Sequence, residues 1–338
     1  MRRGITRKVL LTKFRARKKS RRGNPLLTRT RGSTFYQTIL AKGGKAKVCI
    51  IRKVGGIGDV LMVTPSLRQL REDFEDLDLT FAIDMHTTGN NVYYELMKNC
   101  PFVTKLIDAR YVNHGEYDAV VDVSAVCLRY EREDLPAINR IDLFARAIGI
   151  RSIQDKCSWY LVEESERQWA RKVSKRHRQL DKQLVVLHTA SMEDKRCWPI
   201  EKYIQIVKKA EQENLPVQFI ILDFNNKYND WDKHTNCSNW SHTNVREMAA
   251  LISEADLFIG PDSGPMHLAG AVNTKSIVVF GSIPPKARIN YYSTHEAVVL
   301  NGLSCLGCWY KQCPYDIKCM KDLNADLVYQ KMKFQLEL

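Results

Sequence analysis

Short, continuous apolar runs alternate along this chain with segments whose apolar positions return every three or four residues. KVCIIRKV (47–54) is the first such run and reads as a buried strand closed by glycines. TPSLRQLREDF follows with Leu67 and Leu70 at helical spacing and Pro65 in the first turn after Thr64. Further strands are predicted at LDLTFAID (77–84), VTKLID (103–108) and YDAVVDVS (117–124), and helices at NVYYELMKNC (91–100) and NRIDLFARAIGI (139–150). A highly charged helix, EESERQWARKVSKRHRQL (163–180), then separates this unit from a second one. There QLVVLHT (183–189), PVQFIILD (216–223), ADLFIG and KSIVVFGS (275–282) are strands. Helices from Pro199 to about Glu213, over NVREMAALISEA and from Gly264 lie between them, and DLNADLVYQKMKFQLEL closes the chain as an amphipathic helix.

Strands that are apolar throughout belong to parallel sheets covered on both faces, and the strand–helix alternation predicts the same α/β architecture. A chain of 338 residues exceeds what one core usually organises. Two doubly wound, Rossmann-like lobes are therefore expected: a first over 47–165, a second over 180–322, and a terminal helix over 323–338.

Composition sharpens this at one end only. The net charge of +14 is carried by the first 47 residues, which hold 16 Lys/Arg and no acid; the remainder has 36 basic against 38 acidic residues. Residues 1–46 thus read as a basic tail with three open interpretations: a solvated, disordered extension, an arm attracted to the phosphates of nucleic acid or of an anionic membrane surface, or an Arg-rich, acid-free transit peptide. The sequence has no run of 18 apolar residues and no signal-type apolar core, so a cytoplasmic location, peripheral to the inner membrane at most, is expected.

The candidate chemistry lies at strand ends, where parallel sheets bind ligands. GGIGDV (55–60) is too short of glycines for a dinucleotide fingerprint, because the third glycine position is Leu61. An NAD-dependent oxidoreductase is disfavoured on that ground, and because Asp59 would face a pyrophosphate. Gly56 and Gly58 instead form a loop that presents Asp59 either as a proton acceptor for an incoming hydroxyl or as a helix cap. In HTASMEDKRCWP (188–199), Thr189 and Ser191 offer hydrogen bonds, and Lys195 is either a counter-charge for a departing diphosphate or a solvated surface charge. DSGPMH (262–267) places Asp262, Ser263, Gly264, Pro265, Met266 and His267 at the start of a helix rich in small residues.

GGIGDVLMVTPSL, HTASMEDKRCWP and ADLFIGPDSGPMHLAGAV, in this order, resemble glycosyltransferase family 9, the ADP-heptose heptosyltransferases, over roughly residues 47–335. The resemblance implies a GT-B fold, with two facing lobes across a cleft, and inverting transfer without a catalytic metal. It implies Asp59 as the acceptor-side catalytic aspartate and Lys195 at the donor phosphates beside Thr189 and Ser191. Asp262, Ser263, Gly264 and His267 become the donor loop, shaped by Pro265 and Met266. The implied donor is a nucleotide sugar such as ADP-heptose, and the implied acceptor is lipopolysaccharide core. A protein side chain or modified DNA base is the alternative acceptor, and a non-catalytic nucleic-acid-binding module the alternative class. One departure stands out: DFNNKYND (223–230) lacks the glycine turn whose acid reaches the ribose in the family, leaving Asp223 and Asn225 as candidates for that place.

The last motif is CLGCWYKQCPYDIKC, which supplies Cys305, Cys308, Cys313 and Cys319. Four thiolates so spaced can close a structural site around zinc or iron, with no position left open for catalysis; two disulfides or free thiols are the alternative. Autotransporter heptosyltransferases, which resemble this family, carry a structural iron at such a cluster.

Overall fold

The computed structural model describes residues 31–86, 91–132, 135–177, 182–310 and 312–338. The first lobe is a four-stranded parallel sheet of β1 (Lys47–Arg52), β2 (Asp78–Ile83), β3 (Lys105–Asp108) and β4 (Ala119–Asp122) in the order β3-β2-β1-β4. The second holds β5 (Gln183–His188), β6 (Val217–Leu222), β7 (Cys237–Asn239), β8 (Leu257–Pro261), β9 (Ser276–Val279) and β10 (His295–Val298) in the order β10-β9-β8-β5-β6-β7, again all parallel. The central strands are apolar on both sides because helices cover both faces. Val48, Ile50, Val186 and Ile220 are among the fully buried residues.

Strand order locates the ligand crevices. The first lobe winds outward from β1 to β3 and then returns to place β4 on the other side of β1. The second winds from β5 to β7 and returns with β8 beside β5. Each return is a switch point, where loops part at the carboxyl ends of the strands. Helices α2 (Ile57–Leu61) and α3 (Thr64–Asp73) follow β1, α4 (Val92–Met97) follows β2, and α5 (Arg140–Ile148) follows β4. The charged helix α6 (Glu164–His177) packs on α8 (Val245–Ser253) of the second lobe, with Trp169 edge-on to Trp240. Helices α7 (Ile200–Gln212), α9 (Gly264–Ala271), α10 (Lys318–Lys321) and α11 (Ala325–Gln335) complete that lobe, α11 lying against α7.

The expectation of a tail through residue 46 is corrected over its last third. Arg31–Ala41 forms a helix, α1, that packs on α5 and β4. Phe35 and Ile39, one turn apart, are 2% and 0% exposed, and Tyr36 donates to Asp73 Oδ2 at 2.8 Å. Lys42 ties the end of this segment to Asp118 at 2.6 Å. Residues 1–30, which carry most of the basic charge, lie outside the described residues. Phe35→Ala is expected to destabilise the protein by about 3–5 kcal/mol through the lost burial and the cavity left behind. Chemical denaturation reads this out; an unchanged midpoint would make α1 a peripheral appendage.

Candidate active site

Asp59 enters the site from the first switch point. Gly55 turns the chain with φ +116°, and a Cβ there would overlap the Asp59 carboxylate and the Arg52 guanidinium. Asp59 Oδ2 accepts from the Gly56 amide at 3.0 Å, while Oδ1 lies 3.2 Å from Arg52 Nη2 and pairs with Arg140 Nη1. Burial alone would raise its pKa. The opposing charges of Arg140 and Arg52, with the Gly56 amide, outweigh that and hold the carboxyl below the usual carboxylate range. The capping role inferred for Asp59 is thus present, with the carboxylate accepting from the Gly56 amide, and the same side chain is a buried anion.

From Asp59 a line of charge crosses to the second lobe. Arg140 grips Glu131, which follows β4, through Nε–Oε1 at 2.5 Å and Nη2–Oε2 at 2.7 Å. Glu131 Oε1 accepts from Arg288 Nη1 at 3.0 Å. Arg288 Nε lies 3.7 Å and Arg196 Nη1 3.5 Å from Asp262 Oδ2. Arg196 also pairs with Glu193, as does Lys195, so five cations (Arg52, Arg140, Arg288, Arg196, Lys195) face four carboxylates (Asp59, Glu131, Asp262, Glu193), and the site carries one excess positive charge.

On the second-lobe side several polar atoms are buried without a hydrogen bond among the described residues: Asp262 Oδ2, Ser263 Oγ, Ser282 Oγ, Arg196 Nε and Arg288 Nη2. Folded proteins rarely leave such groups unpaired, because desolvation without a bond is costly. The four donors among them (Ser263, Ser282, Arg196 and Arg288), in the segments that follow β5, β8 and β9 and beside the N-terminus of α9, suit a ligand bearing anionic oxygens; Asp262 Oδ2, an acceptor, does not. Ser263 is the N-cap residue of α9 yet makes no capping bond with its side chain.

The remaining sequence candidates take varied places. Gly58 and Gly264 are where the lobes touch: a Cβ on Gly58 would overlap the His267 ring, and one on Gly264 would come 2.9 Å from Ile57 Cβ. Gly58→Ala is expected to cost about 1–3 kcal/mol by forcing α2 and α9 apart. A melting temperature equal to the parent's would show that this contact is not maintained. His267 is buried, its Nδ1 3.0 Å from Tyr292 Oη, and burial followed by the charge of Arg288 keeps it neutral. Pro265 occupies the first turn of α9, and Met266 is fully buried in the core. Ser191 donates to the Asp262 carbonyl at 3.1 Å. Thr189 donates to Asp223 Oδ1 at 2.8 Å, and Asp223 Oδ2 accepts from the Tyr228 amide and Trp231 Nε1 at 3.1 and 3.3 Å. Asp223 is thereby committed inside the lobe, which leaves exposed Asn225 as the candidate at the ribose position. Lys195 pairs with Glu193 Oε2 at 2.9 Å and donates to the Tyr310 carbonyl, whereas its neighbour Arg196 is the cation that faces Asp262.

Sequence reasoning missed Arg140, Glu131, Arg196 and Arg288. Their signal was present only as charges in the segments that follow β4, β5 and β9, the same edge of each sheet as the motifs.

All four late cysteines line one cavity together with Lys195 and Ser282, and none is in a disulfide. Burial, with the neighbouring thiols, pushes Cys319 up to about 11. The cysteines thus share one cavity without a formed centre: among the described residues no three His, Cys, Asp or Glu side chains stand together so as to hold an ion.

A family model for glycosyltransferase family 9 (heptosyltransferase) matches residues 125–318, more than half of the chain and the whole of the second switch point. The chain belongs to glycosyltransferase family 9. Lipooligosaccharide heptosyltransferase 2 of Campylobacter jejuni is 34% identical to this family 9 chain over 92 residues, 27% of the chain and 29% of the relative. The aligned region thus spans under a third of that relative's length. E. coli ADP-heptose lps heptosyltransferase II superposes with a TM-score of 0.62 at 14% identity, covering 86% of this chain and 98% of that one. The iron-containing dodecameric glycosyltransferase TibC of enterotoxigenic E. coli H10407 gives 0.62 at 14%, covering 87% and 79%. These structures are similar in fold, and they establish the family 9 chain as a two-lobed GT-B protein. Among the described residues no helix is long and apolar enough to cross a membrane.

Proposed function

We propose that this protein is an inverting glycosyltransferase that moves a heptose from an ADP-sugar to a hydroxyl of lipopolysaccharide core. The observation that carries the reading is the pairing of a buried carboxylate, Asp59, with a net-positive cluster across the lobe boundary that retains unpaired donors. The family match and the ADP-D-β-D-heptose complex of TibC support the donor class. The names of the curated relatives support a lipopolysaccharide or lipooligosaccharide acceptor.

In this mechanism the acceptor oxygen attacks the anomeric carbon from the face opposite the nucleotide, and its proton passes to Asp59. The anomeric carbon–oxygen bond breaks, and its electron pair leaves with the nucleoside diphosphate. Arg288, Arg196, Ser263 and the amides at the start of α9 stabilise the charge that develops there, with Lys195 behind them. Asp59 is ionised at neutral pH, as a base must be, but both its oxygens are engaged. The acceptor hydroxyl therefore takes the place of a guanidinium contact, and the lobes part to admit it. Incubation with ADP-heptose and heptose-free core acceptor should release ADP and add one heptose mass to the acceptor. ADP-heptose left intact with every core acceptor would overturn the reading.

The cysteine loop fits a tetrahedral thiolate site in donor type, with Cys305, Cys308, Cys313 and Cys319 as the ligands. A bound zinc or iron would cross-link the loop and supply no chemistry at the sugar. Metal analysis of freshly purified protein is expected to find about one ion per chain, the stoichiometry of a closed four-ligand site. Metal-free protein with full stability would favour free thiols.

A further inference from the structure

We propose that the cysteine loop positions the donor-side cations, so that donor affinity depends on side chains that never touch the donor. This inference rests on the assignment of Arg288 and Lys195 to the donor phosphates. Two contacts carry it. The Trp309 ring lies against the Arg288 guanidinium, 5.3 Å from its centre, and the Tyr310 carbonyl accepts from the Lys195 ammonium. Consecutive residues of one loop thus hold two cations that approach from different elements.

The loop is fixed to the end of β9, where Ser282 sits. Gly307 N donates to the Gly281 carbonyl at 2.9 Å and Trp309 N to the Ser282 carbonyl at 3.0 Å. Gly281 has no room for a side chain, because a Cβ would lie 2.6 Å from Cys319 Sγ and 2.8 Å from Met320 Sδ. Trp309, Asp316 and Ile317 adopt left-handed φ values of +59°, +51° and +55°. Bulky and β-branched residues reach this region only when their surroundings impose it. The loop is therefore held in shape by its contacts with the segment that follows β9.

The chemistry of the Trp309 contact suits a positioning role. An aromatic face attracts a guanidinium through its π-cloud without using any N–H donor. Of the in-plane donors of Arg288, Nη1 is taken by Glu131 and the Ala287 carbonyl, whereas Nη2 is one of the unpaired buried atoms. Trp309 would thus orient the fork toward a diphosphate while leaving Nη2 for the ligand.

Calorimetric titration with ADP and with adenosine tests this on the full chain. Trp309→Leu is expected to weaken ADP binding about 3- to 30-fold, the range of a partly to fully desolvated cation–π contact, and to leave adenosine binding unchanged. Trp309→Phe, which keeps an aromatic face, should restore most of the ADP affinity. Equal loss of both ligands, or a deficit that persists in Trp309→Phe, would make Trp309 merely structural and overturn the proposal. Arg288→Gln separates the two levels. If it weakens ADP while Trp309→Leu does not, the positioning role fails and the donor assignment stands. If neither variant alters ADP binding, the donor assignment fails and takes the inference with it.

Discussion

Asp59→Asn is expected to lower turnover about 10²- to 10⁴-fold, the range a positioned general base contributes. The amide preserves shape, and its oxygen can still accept from the Gly56 amide, so the turn before α2 should survive. What is lost is charge. Asp59 neutralises Arg52 and Arg140, both largely buried, and removing one partner of a buried ion pair costs about 3–5 kcal/mol. Stability should therefore fall together with turnover, and the two are separated by measuring rate per folded molecule and ADP affinity alongside the melting temperature. Retained ADP affinity with lost turnover assigns Asp59 to the acceptor side. Parallel loss of both assigns it to the lobe framework.

The same charges set the pH behaviour. Burial, the largest influence on Asp59, is outweighed by Arg140 and Arg52, and the carboxyl stays ionised below the ordinary range. Its contribution to stability is complete above the unfolded carboxyl pKa of about 3.9 and is lost as pH falls through the lower folded value. In Arg140→Gln the desolvation meets less opposition, so the acid limb of kcat/KM should move to higher pH. An acid limb that does not move would mean that another group supplies it.

Most of the architecture was legible because central strands of parallel sheets are apolar on both faces, as in KVCIIR and VQFIIL. The strands that escaped detection are edges. Cys237–Asn239 is a three-residue polar strand, and His295–Val298 carries His and Glu; each pairs on one side only and faces no such demand. Helix α1 was hidden by its basic neighbourhood, although Phe35 and Ile39 already stood one helical turn apart. At the site, the glycine and donor loops announced Asp59 and Asp262, since backbone turns of that kind need particular residue types. Arg140 and Arg288 carried no such mark. An arginine serves equally on a surface, and only the long-range pairing through Glu131 gives these two their meaning.

That pairing makes Arg288 the position whose replacement should most weaken donor binding. The side chain is 1% exposed, and burial followed by the like charge of Arg140 pulls its pKa below the usual arginine value. A cation in that state is one that gains from an arriving anion, because the ligand replaces the solvation it lacks. Arg288→Ala removes hydrogen bonds to a charged group, each contributing about 1.5–3 kcal/mol, so ADP should bind about ten- to a hundredfold more weakly. Arg288→Lys keeps the charge but loses the planar fork and its stacking on Trp309, and should fall between the two. Since Glu131–Arg288 also bridges the lobes, Arg288→Ala should broaden the denaturant transition as the lobes begin to unfold separately. If ADP affinity is unchanged while the transition broadens, Arg288 is a strut between the lobes, and the diphosphate must be held by Arg196 and the start of α9 alone.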